Sequence, residues 1–204
     1  MVSPIDIRNQ LDSFLLLVQK PGRYVGGEFG QVVKDWDKTE THFAIVFPDL
    51  YDIGVPNLGV TILYDLINSR TDALCERVYL PWLDMEAKMK EYNIPLYSLE
   101  SFHPLLDFDI IGFTIPYETL YTNVLNALSL ANIPLHSSER TEKHPLIIAG
   151  GHSAYNPEPM CDFIDVFVIG EGEEIIHEIL DAYAQWKKSG ANRLELFNTL
   201  QHIN

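Results

Sequence analysis

Five short runs of apolar residues, not alternating with polar ones, constrain this chain more than any other feature. They occupy residues 43–47, 77–80, 110–115, 146–149 and 166–169, the second being the weakest. A strand that is apolar on both sides must be covered on both sides, which is the habit of parallel sheets. Between the runs lie stretches with helical spacing, at residues 57–68, 84–92, 120–131 and 173–188. Strand–helix alternation of this kind predicts an α/β fold. The expected form is a flavodoxin-like, doubly wound, mainly parallel five-stranded sheet with flanking helices. Five strands suit that order better than the longer dinucleotide-binding one.

The sheet domain is expected over residues 41–190. Residues 1–40 form a lead-in: a helix over 5–19 after Ser3-Pro4, a glycine-rich stretch over 22–30, and a solvated link over 34–41. Pro48-Asp49 is expected to end the first strand, and Gly190 the long last helix. Residues 191–204 carry one more short helix, which would lead toward a further domain.

Composition removes several functions. Fourteen basic residues against 29 acidic ones give a net charge of -15, which opposes binding along a nucleic-acid backbone. The longest apolar stretches, such as residues 14–18, fall well short of the ~20 residues of a membrane span. No signal peptide opens the chain, so a cytoplasmic protein without a membrane partner is expected. Two cysteines, Cys75 and Cys161, cannot supply a four-cysteine zinc site or an iron–sulfur cluster. Cys75 is expected ahead of the second strand as a structural residue, and Cys161 as a small buried one. Trp82, Met85 and Met89 read as helix packing.

In such a fold ligands bind beyond the carboxyl ends of the strands. The informative residues cluster there: 48–54 and 57–59 after the first strand, 116–119 after the third, 150–154 and 156–159 after the fourth, 170–174 after the fifth. Glycine at several of these loops either serves the turn or admits a ligand to bare backbone. No G-x-G-x-x-G follows the first strand and no G-K-[ST] occurs anywhere, which weakens nucleotide readings. A flavin is disfavoured because no hydroxyl-rich phosphate loop follows the first strand. Residues 144–186 hold eight acidic residues and no lysine or arginine. A large, weakly charged ligand held by shape fits that edge better than a phosphate. Asp49 and Asp52 have no histidine partner nearby in sequence for acid–base work.

The loops also resemble a known family. Ala149-Gly150-Gly151-His152, then Val168-Ile169-Gly170-Glu171-Gly172-Glu173-Glu174, resembles the cobalamin-binding-like domain ahead of many radical S-adenosylmethionine (SAM) domains. Arg23-Tyr24-x-Gly26-x-Glu28, Phe47-Pro48-Asp49-x-Tyr51-x-Ile53-Gly54, Asn57-Leu58-Gly59, Glu76-Arg77-Val78-x-x-Pro81-Trp82-x-Asp84-Met85-Glu86 and Asn156-Pro157-Glu158-Pro159 resemble one uncharacterised subfamily of it. The resemblance implies an accessory domain lying over a downstream radical SAM domain of the same polypeptide. That domain would supply the 4Fe-4S cluster and S-adenosylmethionine, so this chain alone would not be catalytic.

The resemblance further implies cobalamin at the carboxyl edge. Gly150, Gly151, His152, Gly170, Glu171, Gly172 and Glu173 would face its nucleotide tail. Tyr51, Asp52, Ile53, Gly54 and Thr114 would line the corrin side. No histidine has an aspartate two positions before it, so the cobalt-ligating Asp-x-His-x-x-Gly is missing. The alternative is a ligand-free structural domain, whose cleft above Gly150 and Gly170 would be filled by side chains.

Overall fold

In the computed structural model residues 2–203 are described. Met1 and Asn204, the outermost residues of the expected lead-in and trailing segment, lie outside them. The chain runs α1 (Pro4–Phe14), β1 (Thr41–Leu50), α2 (Tyr51–Gly54), α3 (Leu58–Ser69), β2 (Ala73–Leu80), α4 (Leu83–Tyr92), β3 (Ile110–Thr114), α5 (Tyr121–Leu130), β4 (Leu146–Gly150), β5 (Val166–Phe167), α6 (Gly172–Ser189) and α7 (Arg193–Leu200). The five strands form one all-parallel sheet in the order β2-β1-β3-β4-β5, the flavodoxin-like order. The chain leaves β1 toward β2 and then returns to β3, so the switch point lies between β1 and β3.

Strand alternation divides the core. Ala44 and Val46 of β1 face a layer holding Ile7 and Leu11 of α1, Met85 and Met89 of α4, and Val124 and Leu128 of α5. Phe43, Ile45 and Phe47 face the other side, with Val60 and Ile67 of α3, Ile176 and Ile179 of α6, and Leu196 of α7. Both faces are therefore sealed, as continuous apolar strands require.

Element limits differ from the sequence reading for local reasons. Strand β1 runs on through Pro48 to Leu50, because its register with β2 shifts between Phe47 and Leu50. A proline, lacking an N–H, is accommodated where the ladder is irregular. Strand β2 begins at Ala73, so Cys75 lies inside it, fully buried and opposite Phe43. Strand β5 is only two residues long. Helix α1 is closed at its start by a capping box, with Ser3 Oγ accepting from the Asp6 N–H at 3.2 Å and the Ser3 N–H donating to Asp6 Oδ2 at 3.1 Å. It stops at Phe14 and does not reach residue 19. Cys161 is exposed, not buried. Met85 and Met89 are core residues, but Trp82 stands partly exposed at the start of α4.

The link over 34–41 is exposed at Asp35, Asp37, Lys38 and Glu40, as a solvated segment would be, but Lys34 and Trp36 anchor it. Trp36 stacks between the rings of His42 and His103, with centroids 3.8 and 3.5 Å away. Lys34 Nζ donates to the carbonyls of Asn68, Arg70 and Ala73, satisfying acceptors left open around the end of α3. The outer edge of β2 is covered as well: the Leu99 N–H donates to Arg77 O at 3.0 Å, and Glu100 pairs with Arg77 at 2.7 Å.

At the opposite, amino edge, Asp165 is buried between two guanidinium groups, Arg140 Nη1 at 3.0 Å and Arg193 Nη2 at 2.6 Å. Arg140 also donates to the carbonyls of Pro134, Leu135 and Phe163, and Arg193 to those of Thr141, His144 and Pro145. The network ties α7 and the loop before β4 to the sheet. Removing one member strands the others without compensation, so Asp165→Ala is expected to lose about 3–5 kcal/mol of stability in urea unfolding. Breaking the exposed Lys38–Asp35 pair with Lys38→Ala should change stability by less than about 1 kcal/mol.

Candidate functional site

Where the strands end, the packing between the sheet and helices α3 and α6 is incomplete. A cavity of about 200 Å³ remains there. Its floor is bare backbone at Gly112, Gly150 and Gly151. Phe43, Ile45 and Ile148 of the sheet form one wall, and Leu63, Ile176 and Ile179 of the helices form the other. Thr114, Val168, Gly170, Glu171, Gly172 and Glu173 complete the lining.

Two glycines make this space. A Cβ on Gly112 would lie 2.6 Å from Phe43 Cζ, so the Phe43 ring rests against β3 only because no side chain intervenes. Gly151 adopts φ +95°, and a Cβ there would meet Ile115 O at 2.9 Å. That residue turns the chain sharply off β4, which keeps the space above Gly150 clear. Around Gly150 the nearest atoms to an added Cβ are 3.8 Å away, and around Gly170 none lies within 4 Å.

The electrostatics of the site are simple. No lysine or arginine lines the cavity, and its ionisable side chains are Glu171 and Glu173. Both sit at the start of α6, where acidic groups complement the helix dipole. Glu171 occupies the N-cap position and makes no side-chain cap hydrogen bond. The arrangement, mostly apolar side chains with backbone, Thr114 and two carboxylates beside them, favours burial of a group without negative charge. Among the described residues no group of three or more His, Cys, Asp or Glu side chains could hold a metal ion.

The structure thus gathers Thr114, Gly150, Gly151, Gly170, Glu171, Gly172 and Glu173 around one cavity. It places the other candidates elsewhere. His152 is exposed on the turn after β4, its ring centroid 6.3 Å from that of Tyr155. Tyr51, Asp52, Ile53 and Gly54 form α2, which is engaged by the lead-in. The Tyr51 hydroxyl donates to Glu28, and Asp52 pairs with Lys20 at 2.9 Å and Arg23 at 2.5 Å. The bonds from Lys20 and Arg23 draw the Asp52 carboxyl below its ordinary range. Gly54 is buried, with an added Cβ falling 2.5 Å from the Tyr79 ring. Ile53 is exposed.

Sequence reasoning missed the walls: Phe43, Ile45, Leu63, Ile148, Ile176 and Ile179. Gly112 was the available signal, since a glycine inside an apolar strand marks a close approach. Around the carboxyl edge, Leu58, Leu83, Tyr117, Tyr155 and Ile169 join Ile53 as exposed apolar side chains.

The comparisons with known proteins now bear on this geometry. The sequence profile of the N-terminal region of radical SAM proteins matches residues 59–204. The chain belongs to that family. An uncharacterized protein of Methanocaldococcus jannaschii is 23% identical over 141 residues, covering 68% of this chain and 26% of that protein. The chain therefore spans about a quarter of the length of that relative. No solved structure matches it. As a radical SAM N-terminal domain it carries no described helix long and apolar enough to cross a membrane.

The anchoring of α2 can be read by titration. Burial first, and then the hydrogen bond to Glu28, push the Tyr51 phenol up to about 12. Because the folded value is raised, its stabilising contribution is complete below about pH 10 and is lost as pH rises from 10 toward 12. Ring-labelled NMR should show Tyr51 ionising near pH 12, with Glu28→Gln lowering that midpoint.

Proposed function

We propose that this chain is the accessory domain of a larger radical SAM protein, acting in the cytoplasm and holding the nucleotide tail of cobalamin in the glycine-floored cavity. Membership of the radical SAM N-terminal family supports the accessory role. The observation that carries the ligand is the clear space above Gly150 and Gly170 at the carboxyl edge. A ligand-free structural domain would have that space filled by side chains.

The residues present fit the group. A benzimidazole-like ring carries no negative charge, which suits a cavity walled by Ile45, Ile148, Ile176 and Ile179. For the sugar and its linkage, Thr114 and the first turn of α6 offer polar partners. When bound, cobalamin supplies cobalt chemistry, such as methyl transfer or rearrangement, at the corrin face. With no Asp-x-His-x-x-Gly motif in the chain, no histidine is assigned as a ligand to the cobalt from below. In this reading the apolar rim of Leu58, Leu83, Tyr117, Tyr155 and Ile169 covers the corrin and abuts the downstream domain of the same polypeptide. That domain carries the 4Fe-4S cluster and S-adenosylmethionine. The net charge of -15 opposes nucleic acid as a partner of this segment.

Titration of the purified chain with hydroxocobalamin tests the reading. Retention through gel filtration, with a visible spectrum showing the base detached from cobalt, is the expected result. Gly150→Ala should fold normally, because an added Cβ there meets ordinary van der Waals distances, yet it should weaken binding severalfold by taking up space over the backbone. Absence of any spectral change in the parent chain would remove the cofactor from the proposal.

A further inference from the structure

We infer that the outer edge of β5 docks an extended segment of another protein, in which apolar residues alternate with lysine or arginine, as a sixth strand of the sheet. The inference does not depend on the cobalamin reading. It starts from a difference between the two borders of the sheet. Beyond β2 the chain covers its own edge, with the Leu99 N–H donating to Arg77 O and Glu100 pairing with Arg77. Beyond β5 no segment among the described residues does the same.

The register sets Phe167 opposite Ala149, and the Val168 N–H donates to Ala149 O at 2.8 Å. Bonds to a parallel neighbour come from every second residue, so the Phe167 N–H and C=O turn outward. Neither has a backbone partner among the described residues. Side chains hold this edge in place without covering it. Val166 and Val168 pack into the layer of α3 and α6, Phe167 packs into the opposite layer, and all three are half-buried. Ile169 beyond them is exposed, and residues 166–169 include no lysine or proline to blunt the edge. The ladder is short, so a docked strand gains few backbone bonds and binds reversibly.

Charge selects the occupant. Glu158 and Asp162 precede the strand and Glu171 follows it, all exposed. Residues 144–186 hold no lysine or arginine, and the arginines that reach this border, Arg140 and Arg193, are engaged by buried Asp165. A second copy pairing edge to edge would add like charges to like in a chain of net charge -15. A strand bearing lysine or arginine meets the carboxylates with opposite charge, while its apolar residues extend the layers that hold Val166 and Phe167.

The test sets the intact chain against short labelled peptides: alternating lysine and valine, the same peptide methylated at every backbone nitrogen, and alternating glutamate and valine. Fluorescence anisotropy should show saturable one-to-one binding of the lysine peptide, with the Phe167 amide newly protected in hydrogen exchange. Methylation keeps charge and side chains but removes every donor, so affinity should fall at least about tenfold, the loss of one or two hydrogen bonds. The glutamate peptide should not bind measurably. Ile169→Lys places a like charge at an exposed position and should weaken the lysine peptide severalfold, with an unchanged urea midpoint reporting that the variant is folded. Failure of the lysine peptide to bind, equal affinity for its methylated form, or no added protection at Phe167 overturns the inference. A dimer of the chain in sedimentation, with Phe167 protected in it, overturns the choice of partner.

Discussion

Because the sheet is apolar on both faces, helices must seal both faces, and only the ends of the strands remain open to solvent. In this molecule the two ends are used in opposite ways. The amino edge is closed with charge: Asp165 locks Arg140 and Arg193, and through them the loop before β4 and helix α7. The carboxyl edge is left thin, with glycine where neighbouring strands carry isoleucine or phenylalanine. A small domain gains most of its stability from burial, so leaving a cavity under α3 and α6 carries a cost that the rest of the core offsets.

The contact between Phe43 and Gly112 shows how that opening is held. Phe43 leans across to the next strand because Gly112 offers it backbone to lie on. Side chains from α3 and α6, among them Leu63, Ile176 and Ile179, line the same cavity. The cavity is a consequence of ordinary packing rules applied around two glycines, Gly112 and Gly151.

Much of this was legible in the amino-acid sequence. Runs such as Ile110–Thr114 and Leu146–Gly150 are continuous enough to announce a sheet covered on both sides, and their number points to the order found. The glycines after β4 and β5 announce an edge with room for a ligand. What sequence does not convey is which helix face meets which strand, so Leu63 and Ile179 could not be joined to Gly150 before the crossovers were known. Local strength was also misjudged where tertiary pairing decides. Ala73 and Leu74 become strand because Thr41 and His42 lie alongside, and Trp36 is half-buried against the core because two imidazoles enclose it. The ion pairs of Asp52 with Lys20 and Arg23 bridge some thirty residues, a separation that no periodicity reveals.

The family profile begins at residue 59, whereas the interior strand β1 starts at Thr41 and is itself held by the lead-in through the stacking of Trp36 on His42. The segment recognisable across relatives is thus smaller than the unit that folds. A chain cut to the recognisable segment would keep β2 and β3 but lose the strand between them, leaving a gap of about 9.6 Å, twice the spacing of neighbouring strands. Such a fragment would have no partner for the inner edge of β2 and no Phe43 or Ile45 to wall its cavity. Kinship is written in one stretch of this polypeptide; its cooperativity extends beyond it.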